Sequence, residues 1–405
     1  MFFFADNMRA FFKSQPRLLL FGFFISFFAG FGQTFFISIF NLEIRSLLNL
    51  SDGQFGSLYS LATLTSAIIL IWFGKLIDTI DLRVYTFIIS LGLTFACIGM
   101  FLLIDNLFML FLIIFSLRFF GQGAMSHTGT TTMSRYYTFD RGKAISVGSF
   151  GDVISMMIFP VIAIYIIKSI GWAEAWLFAG LSILIIFFPL YLYLLKDHTR
   201  LHKDFLKKTN EINIQKNWRI RNVIINKNFY IYLPISITPP FILTGLIFHQ
   251  VFIVMNKGWG MELLASSYIG FGIFSIIGLF IGGPLIDKVD TKKAIPYYLI
   301  PMFFGVLFMM LFEHSMIIFL YMALLGITTG LWLPFTGSLW AELYGVKNLG
   351  AIRALMHACM VFASALSPIM LGLIIDYKLG TFAIGFFCIV VIFVSSYFPF
   401  VFRNK

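Results

Sequence analysis

Charge is what this sequence has least of. Asp, Glu, Lys and Arg make up 12% of its 405 residues, where a soluble globular protein carries roughly 25%. With 60% hydrophobic residues, too little polar surface remains to face water, and soluble fold classes are excluded. Cysteine is scarce as well. Cys97, Cys359 and Cys388 all lie inside apolar runs, and no pair has the spacing of a redox or metal motif, so no metal and no cofactor is expected. The H-E-x-x-H of a membrane zinc hydrolase and the G-x-S-x-G of a serine hydrolase are both missing, and the chain is read as no enzyme. Strand-type alternation is missing too, which excludes a lipid-spanning β-barrel. No soluble basic domain exists to carry nucleic-acid binding. The first apolar run is long and lacks a small-residue cleavage site, so it is expected to stay as a membrane helix.

What the sequence has in abundance is long apolar runs. A helical crossing of a bilayer takes about 20 such residues, and twelve runs qualify, at approximately 17–40, 54–74, 84–104, 107–134, 144–168, 173–195, 229–255, 264–286, 295–312, 316–341, 350–375 and 380–402. An all-α, multi-pass membrane protein follows, with the lipid bilayer as its solvent. With the N-terminus placed inside, nearly all of the 29 Lys and Arg residues collect on the inner side. The exceptions are Arg118 within a span and Arg45, Lys168, Lys257 and Lys378 outside. This is the positive-inside bias. It puts both termini in the cytoplasm of a cell (inner) membrane protein and accounts for most of the net charge of +11. The polar segment 196–228 reads as a cytoplasmic tether on the membrane surface. It separates a six-helix bundle at 1–195 from another at 229–405.

The two halves repeat each other. "GKLIDTIDLR" at Gly74–Arg83 returns as "GPLIDKVDTK" at Gly283–Lys292, an offset of 209 positions (283 minus 74). Gly142 of "DRGKAIS" likewise maps to Gly350 of "NLGAIRA". Weak internal repetition of this kind is the trace of transporters whose halves move about a central site. In Gly74, Leu76, Asp78 and Arg83, and in Gly283, Leu285, Asp287 and Lys292, the chain resembles the major facilitator superfamily, over essentially its whole length. The resemblance implies twelve transmembrane helices in two pseudo-symmetric six-helix bundles. Thr79 stands where the family has a basic residue, and Asp81 and Asp290 stand where it has Gly, so the gating contacts of that extra basic residue do not carry over. "RFFGQGA", Arg118–Ala124, resembles the family's span-4 motif with an intramembrane Arg. The span-5 signature of drug antiporters, G-x-x-x-G-P, is replaced by "GSFGDVISMMIFP", which argues against proton-driven drug export.

The resemblance also gives the repeated turn a role. A helix N-terminus carries unpaired N–H groups and about half a positive charge, and in the family each Asp meets such an end in the other half, at span 11 for the first copy and span 5 for the second. Asp78, Arg83, Asp287, Lys292, Arg141 and Arg353 are accordingly the gating candidates. The alternative is that the Asp residues mark solvated turns.

Ionisable and polar residues at membrane depth are costly and usually functional. Arg118 and His127 are nine residues apart in span 4, about 900° at roughly 100° each, so they are expected to face opposite ways. The Arg118 face continues through Gln122, Met125, Gly129 and Thr132, and the resemblance turns it toward a central cavity. Asp152 of span 5 is the candidate for a coupling proton, with His127 as its expected partner or else as half of a structural hydrogen bond. Gln33 in span 1, Tyr59 in "SLYSLATL", His249 and Gln250 after "TPP" in span 7, Trp332 in span 10 and His357 in span 11 complete the lining candidates. The function expected is secondary transport of a small solute, perhaps proton-coupled, by a monomer, with Arg118 and the Arg353/His357 stripe favouring an organic anion such as a carboxylate. The alternatives are an exporter of amphiphilic or cationic compounds and a sensor on a transporter scaffold.

Overall fold

The protein is described from a computed structural model covering residues 11, 15–78, 80–102, 105–137, 141–196, 198, 220–288, 291–344 and 349–402. The side chains of Asp78, Asp287, Arg141 and Arg353 lie outside the described set, as does 199–219 of the polar tether. The gating contacts expected of those side chains therefore lie outside it too.

Among the described residues there is no β-strand, and 12 helices are long and apolar enough to cross a membrane. They are α1 (Pro16–Leu48), α2 (Asp52–Phe73), α3 (Leu82–Leu102), α4 (Leu107–Met133), α5 (Lys143–Ser169), α6 (Trp172–Leu194), α7 (Lys227–Phe248), α8 (Met261–Gly282), α9 (Thr291–Leu311), α10 (Ile317–Tyr344), α11 (Leu355–Asp376) and α12 (Gly380–Phe402). Local chemistry sets several of their starts. Pro16 opens α1, where its missing N–H costs nothing. Asn106 caps α4 by accepting from the Met109 amide at 3.0 Å. Asp81, the residue standing in place of the family's Gly, caps α3 by accepting from the Arg83 amide at 2.8 Å. Burial pushes the Asp81 carboxyl up, but the amide and the guanidinium of Arg83 outweigh it and hold the group below its ordinary range.

The helices are apolar on every side, but their faces differ in what they meet. On α12, Phe382, Phe386 and Phe393 are exposed while Ile384, Cys388 and Ile392 are buried. The first set is the surface a lipid solvent requires, and the second packs on protein.

Contacts divide the chain into unit one, Met1–Phe40 with Thr65–Ile214, and unit two, Asn41–Leu64 with Gln215–Lys405. The linear division at the tether thus misses one exchange, since the segment Asn41–Leu64 joins the second set of helices. It does so through specific contacts. The rings of Phe55 and Tyr59 pack on Phe248 of α7, with centroids at 5.2 and 4.5 Å. Asn41 donates to the Phe248 carbonyl at 3.2 Å. A β-carbon added to Gly372 of α11 would stand 2.8 Å from the Gly53 Cα, so α2 and α11 cross in backbone contact.

Within unit two, α8 and α10 approach as closely, because Gly278, Gly326 and Gly330 leave backbone facing backbone. The "TPP" stretch bends α7 here and frees carbonyls, since a proline cannot donate to the residue four back. Pro239 releases the carbonyl of Ile235, which accepts from the Tyr298 hydroxyl at 2.6 Å. Pro240 releases that of Ser236, which accepts from the Trp332 indole at 2.9 Å. Neighbouring helices thus supply the donors that the prolines remove, as a lipid environment demands. Tyr298→Phe and Trp332→Phe each keep the ring and delete the donor. Each is expected to lower stability by about 1 kcal/mol, read as a fall in thermal unfolding temperature in detergent; unchanged unfolding in both would show that these carbonyls need no side-chain donor.

Candidate functional site

The candidate site of unit one is built on a break in α1. Helix runs to Ala29, turns to 3-10 over Gly30–Gly32, and is interrupted at Gln33, whose φ of −84° and ψ of 155° are extended. An extended residue takes the carbonyls before it out of the helical ladder. Opposite the break, α4 is wound as a π-helix over Leu117–Met125, a widening that recurs at functional sites. A β-carbon on Gly121 would come 2.6 Å from Gly32 Cα, so the two chains touch where neither has a side chain. That closeness brings Arg118, 1% exposed, to donate from Nη1 to the Gly32 carbonyl at 2.9 Å. Gln33 reaches the same helix through Ser126, with Nε2 donating to Oγ at 3.4 Å. Gln122 sits at the crossing, its amide nitrogen 3.0 Å from where a Gly32 β-carbon would be.

The other side of the break rests on α5. A β-carbon on Gly30 would meet the Ser155 Oγ at 2.6 Å. Phe31 stacks flat on Phe159, with centroids 4.1 Å apart and planes 2° from parallel. Ser155 donates to the Asp152 carbonyl at 2.7 Å, which places Asp152 within one turn of the break. Asp152 Oδ1 is buried with no hydrogen-bond partner. A cation on α4 and a bare carboxylate on α5 therefore flank one discontinuity in α1.

The expected pairing of His127 with Asp152 is not formed. His127 Nε2 lies 3.4 Å from Thr131 Oγ1 on its own helix, and a β-carbon on Gly74 would come 3.3 Å from the same nitrogen. The Gly of the repeated turn is thus the place where α2 admits the His127 ring. Arg135 completes the docking by donating to the Ile77 carbonyl at 3.2 Å. The half-turn separation of Arg118 and His127 fails for a physical reason: π-helical winding inside α4 takes more residues per turn than the roughly 100° spacing assumes. In the same turn, Arg83 Nε lies 3.5 Å from Asp81 Oδ1. Lys292, in the corresponding turn of unit two, is half-buried.

The lining candidates of unit two do not gather at a comparable opening. Tyr59 and His249 are 0% exposed, and Gln250 is buried and accepts from the Tyr268 hydroxyl. The expectation that these three face a solute is corrected: they belong to the packing that holds Asn41–Leu64 in the unit. Trp332 is committed to the Ser236 carbonyl. His357 is exposed on α11. Sequence reasoning passed over Ser126, Ser155 and Phe159, which complete the surroundings of the break. Their signal was weak, since a Ser or Phe in an apolar run has no distinguishing pattern. Gly121→Ala is expected to cost about 1–3 kcal/mol by forcing backbones apart. Gly270→Ala, where nothing lies within 4 Å, should be neutral or slightly stabilising. Equal unfolding temperatures in detergent would show that the α1–α4 crossing tolerates a side chain.

Comparison with known proteins accords with this geometry. No protein of curated function matches the sequence. Among solved structures, the chain is similar to a bacterial homologue of the human lysosomal transporter Spinster in an inward-facing, occupied conformation. The TM-score is 0.68 at 14% identity, with 96% of this chain and 95% of that one covered. The inward-facing, unoccupied conformation matches with a TM-score of 0.64 at 15% identity, covering 97% of each chain. At such identities the likeness is one of fold. The Major Facilitator Superfamily profile matches residues 22–314, a stretch that contains the broken α1, the π-helical α4, Asp152 and both copies of the repeated turn. The chain belongs to the major facilitator superfamily and is a membrane transporter rather than an enzyme.

Proposed function

We propose that the protein is a secondary active transporter that moves a small organic anion, such as a carboxylate, by alternating access coupled to protons. The observation that carries this reading is the break in α1 at Gly30–Gln33, flanked by buried Arg118 and by the bare carboxylate of Asp152. Discontinuous helices are where secondary transporters hold solute and coupling ion. The guanidinium stays charged in any protein environment and suits carboxylate recognition. A carboxylate at membrane depth is the kind of group that takes up and releases a coupling proton. The similarity to a transporter captured inward-facing both with and without an occupant supports alternating access. The aromatic side of the break, where Phe31 stacks on Phe159 and Phe27 packs edge-on at 4.7 Å, favours the second reading, an exporter of amphiphilic cations with Asp152 as counter-charge.

Uptake of carboxylates and of lipophilic cations into proteoliposomes, with and without a pH gradient, separates the two. The anion reading expects gradient-driven carboxylate accumulation, which Asp152→Asn abolishes while sparing exchange across a balanced membrane. It further expects Arg118→Lys, still folded in detergent, to weaken carboxylate uptake by an order of magnitude or more, because the planar fork is lost. Cation transport that tolerates Arg118→Lys and requires Asp152 would establish the second reading and overturn the first.

A further inference from the structure

A second cluster of ionisable groups lies in unit two and takes no part in the site above. It sits where Asn41–Leu64 meets α7 and α11. Arg45 of α1 is ion-paired with Asp52 Oδ2 at the start of α2. His249, just past the end of α7, has Nδ1 3.5 Å from Asp52 Oδ1 and Nε2 2.9 Å from the Pro368 carbonyl of α11. Asp376, at the far end of α11, accepts from the Gly53 amide at 2.9 Å and from the Ser51 hydroxyl at 2.7 Å. It thereby caps the N-terminus of α2 with a carboxylate from another helix, a favourable placement of negative charge.

The tautomer of His249 follows from its partners. A carbonyl oxygen only accepts, so Nε2 carries the proton it gives to Pro368. A neutral ring then has a lone pair on Nδ1, pointed at an oxygen that is itself an acceptor. Nδ1 and Asp52 Oδ1 are both buried without a hydrogen-bond partner, so this opposition is not relieved by another side chain. A second proton, on Nδ1, converts it into a charge-assisted contact. Asp52 has Arg45 and His249 as its charged neighbours. α11 contributes the Pro368 carbonyl and, through Gly53, Asp376; α7 contributes the Phe248 ring, 4.9 Å from the imidazole. Glu43 of α1, two residues before Arg45, is the remaining ionisable group at this end, with Oε2 buried and unpartnered.

We propose that His249 is a proton-binding site whose occupation clamps the segment Asn41–Leu64 onto α7 and α11. The ring is 0% exposed and Asp52 7%, so a proton reaches or leaves Nδ1 only while the clamp is open. Closure and protonation are then one linked equilibrium, each favouring the other. The sign is fixed by the charge. The doubly protonated ring favours the closed form, so the clamp is tight below the ordinary His range, about 6.5, and loosens as pH rises above it. The proposal concerns unit two alone and holds whichever solute the protein carries.

Hydrogen–deuterium exchange of the full-length protein in detergent tests it, at about pH 5.5 and about pH 8, on either side of the His range. Rates are corrected for the intrinsic effect of pH and followed in peptides spanning 49–56 and 368–376. The wild type is expected to exchange on the order of tenfold more slowly at the lower pH, the effect of an interaction worth one pKa unit. His249→Gln retains an N–H for the Pro368 carbonyl but cannot titrate, so its exchange should lose the pH dependence. Asp52→Asn, which removes the anion, should lose it as well and serves the same comparison if His249→Gln does not fold. Asp376→Asn should speed exchange at both pH values and keep their ratio. A wild type without pH dependence, or one whose dependence survives both His249→Gln and Asp52→Asn, overturns the proposal.

Discussion

The hydrogen bond from Arg118 to the Gly32 carbonyl shows the constraint under which the whole chain is built. In hydrocarbon no water is available to a backbone group, so a helix can be interrupted only where another part of the protein supplies the missing partner. Gln33 interrupts α1, and the interruption is viable because α4 approaches closely enough to place a donor on it. The approach requires Gly32 and Gly121 at the crossing. The donor must be long and strong enough to reach a carbonyl past the crossing, and a buried guanidinium meets both needs. The same residue that makes the break affordable leaves a positive charge beside it. In unit one, structural necessity and functional opportunity are one side chain.

Unit two obeys the same rule with neutral donors. Each carbonyl freed by Pro239 and Pro240 is taken by a side chain from a different helix, Tyr298 and Trp332. No charge is needed, because one N–H or O–H satisfies one carbonyl, and a phenol or indole costs far less to bury than a cation. The contrast carries information. Where a neutral donor would have sufficed and an Arg stands instead, the charge has a reason beyond the backbone. That is the argument for placing the solute at the α1 break and not at the α7 bend.

Much of the fold was legible in the sequence, since span length and apolar composition are dictated by bilayer thickness and survive any detail of packing. Arg118, Gln33 and Asp152 were legible for the same reason, as polar residues where lipid tolerates few. What could not be read was anything depending on helical phase. A π-helix inserted at Leu117–Met125 rotates everything after it, and no residue type there announces the change, so His127 was assigned a face it does not occupy. Trp332 was read as lining because an aromatic in a span has no visible partner in one dimension; its partner is a carbonyl exposed by a proline on another helix. The departure of Asp81 from the family's Gly looked like a loss and is a helix cap.

The Asp52 cluster escaped the sequence for a different reason. Charges at the ends of spans are ordinary, and Arg45, Asp52 and Asp376 looked like residues held in water at three separate helix ends. Only the chain's return brings them to one place, 323 positions separating the Gly53 amide from the Asp376 carboxylate that caps it. His249 was singled out by its depth, but depth alone does not say whether a ring faces solute or seals a contact. Its burial and the acceptor on each side of it decide the matter. A ring whose Nε2 is bound to a carbonyl and whose Nδ1 faces a carboxylate has no acceptor role left that its surroundings do not oppose, and the only change that reconciles it with both neighbours is a proton.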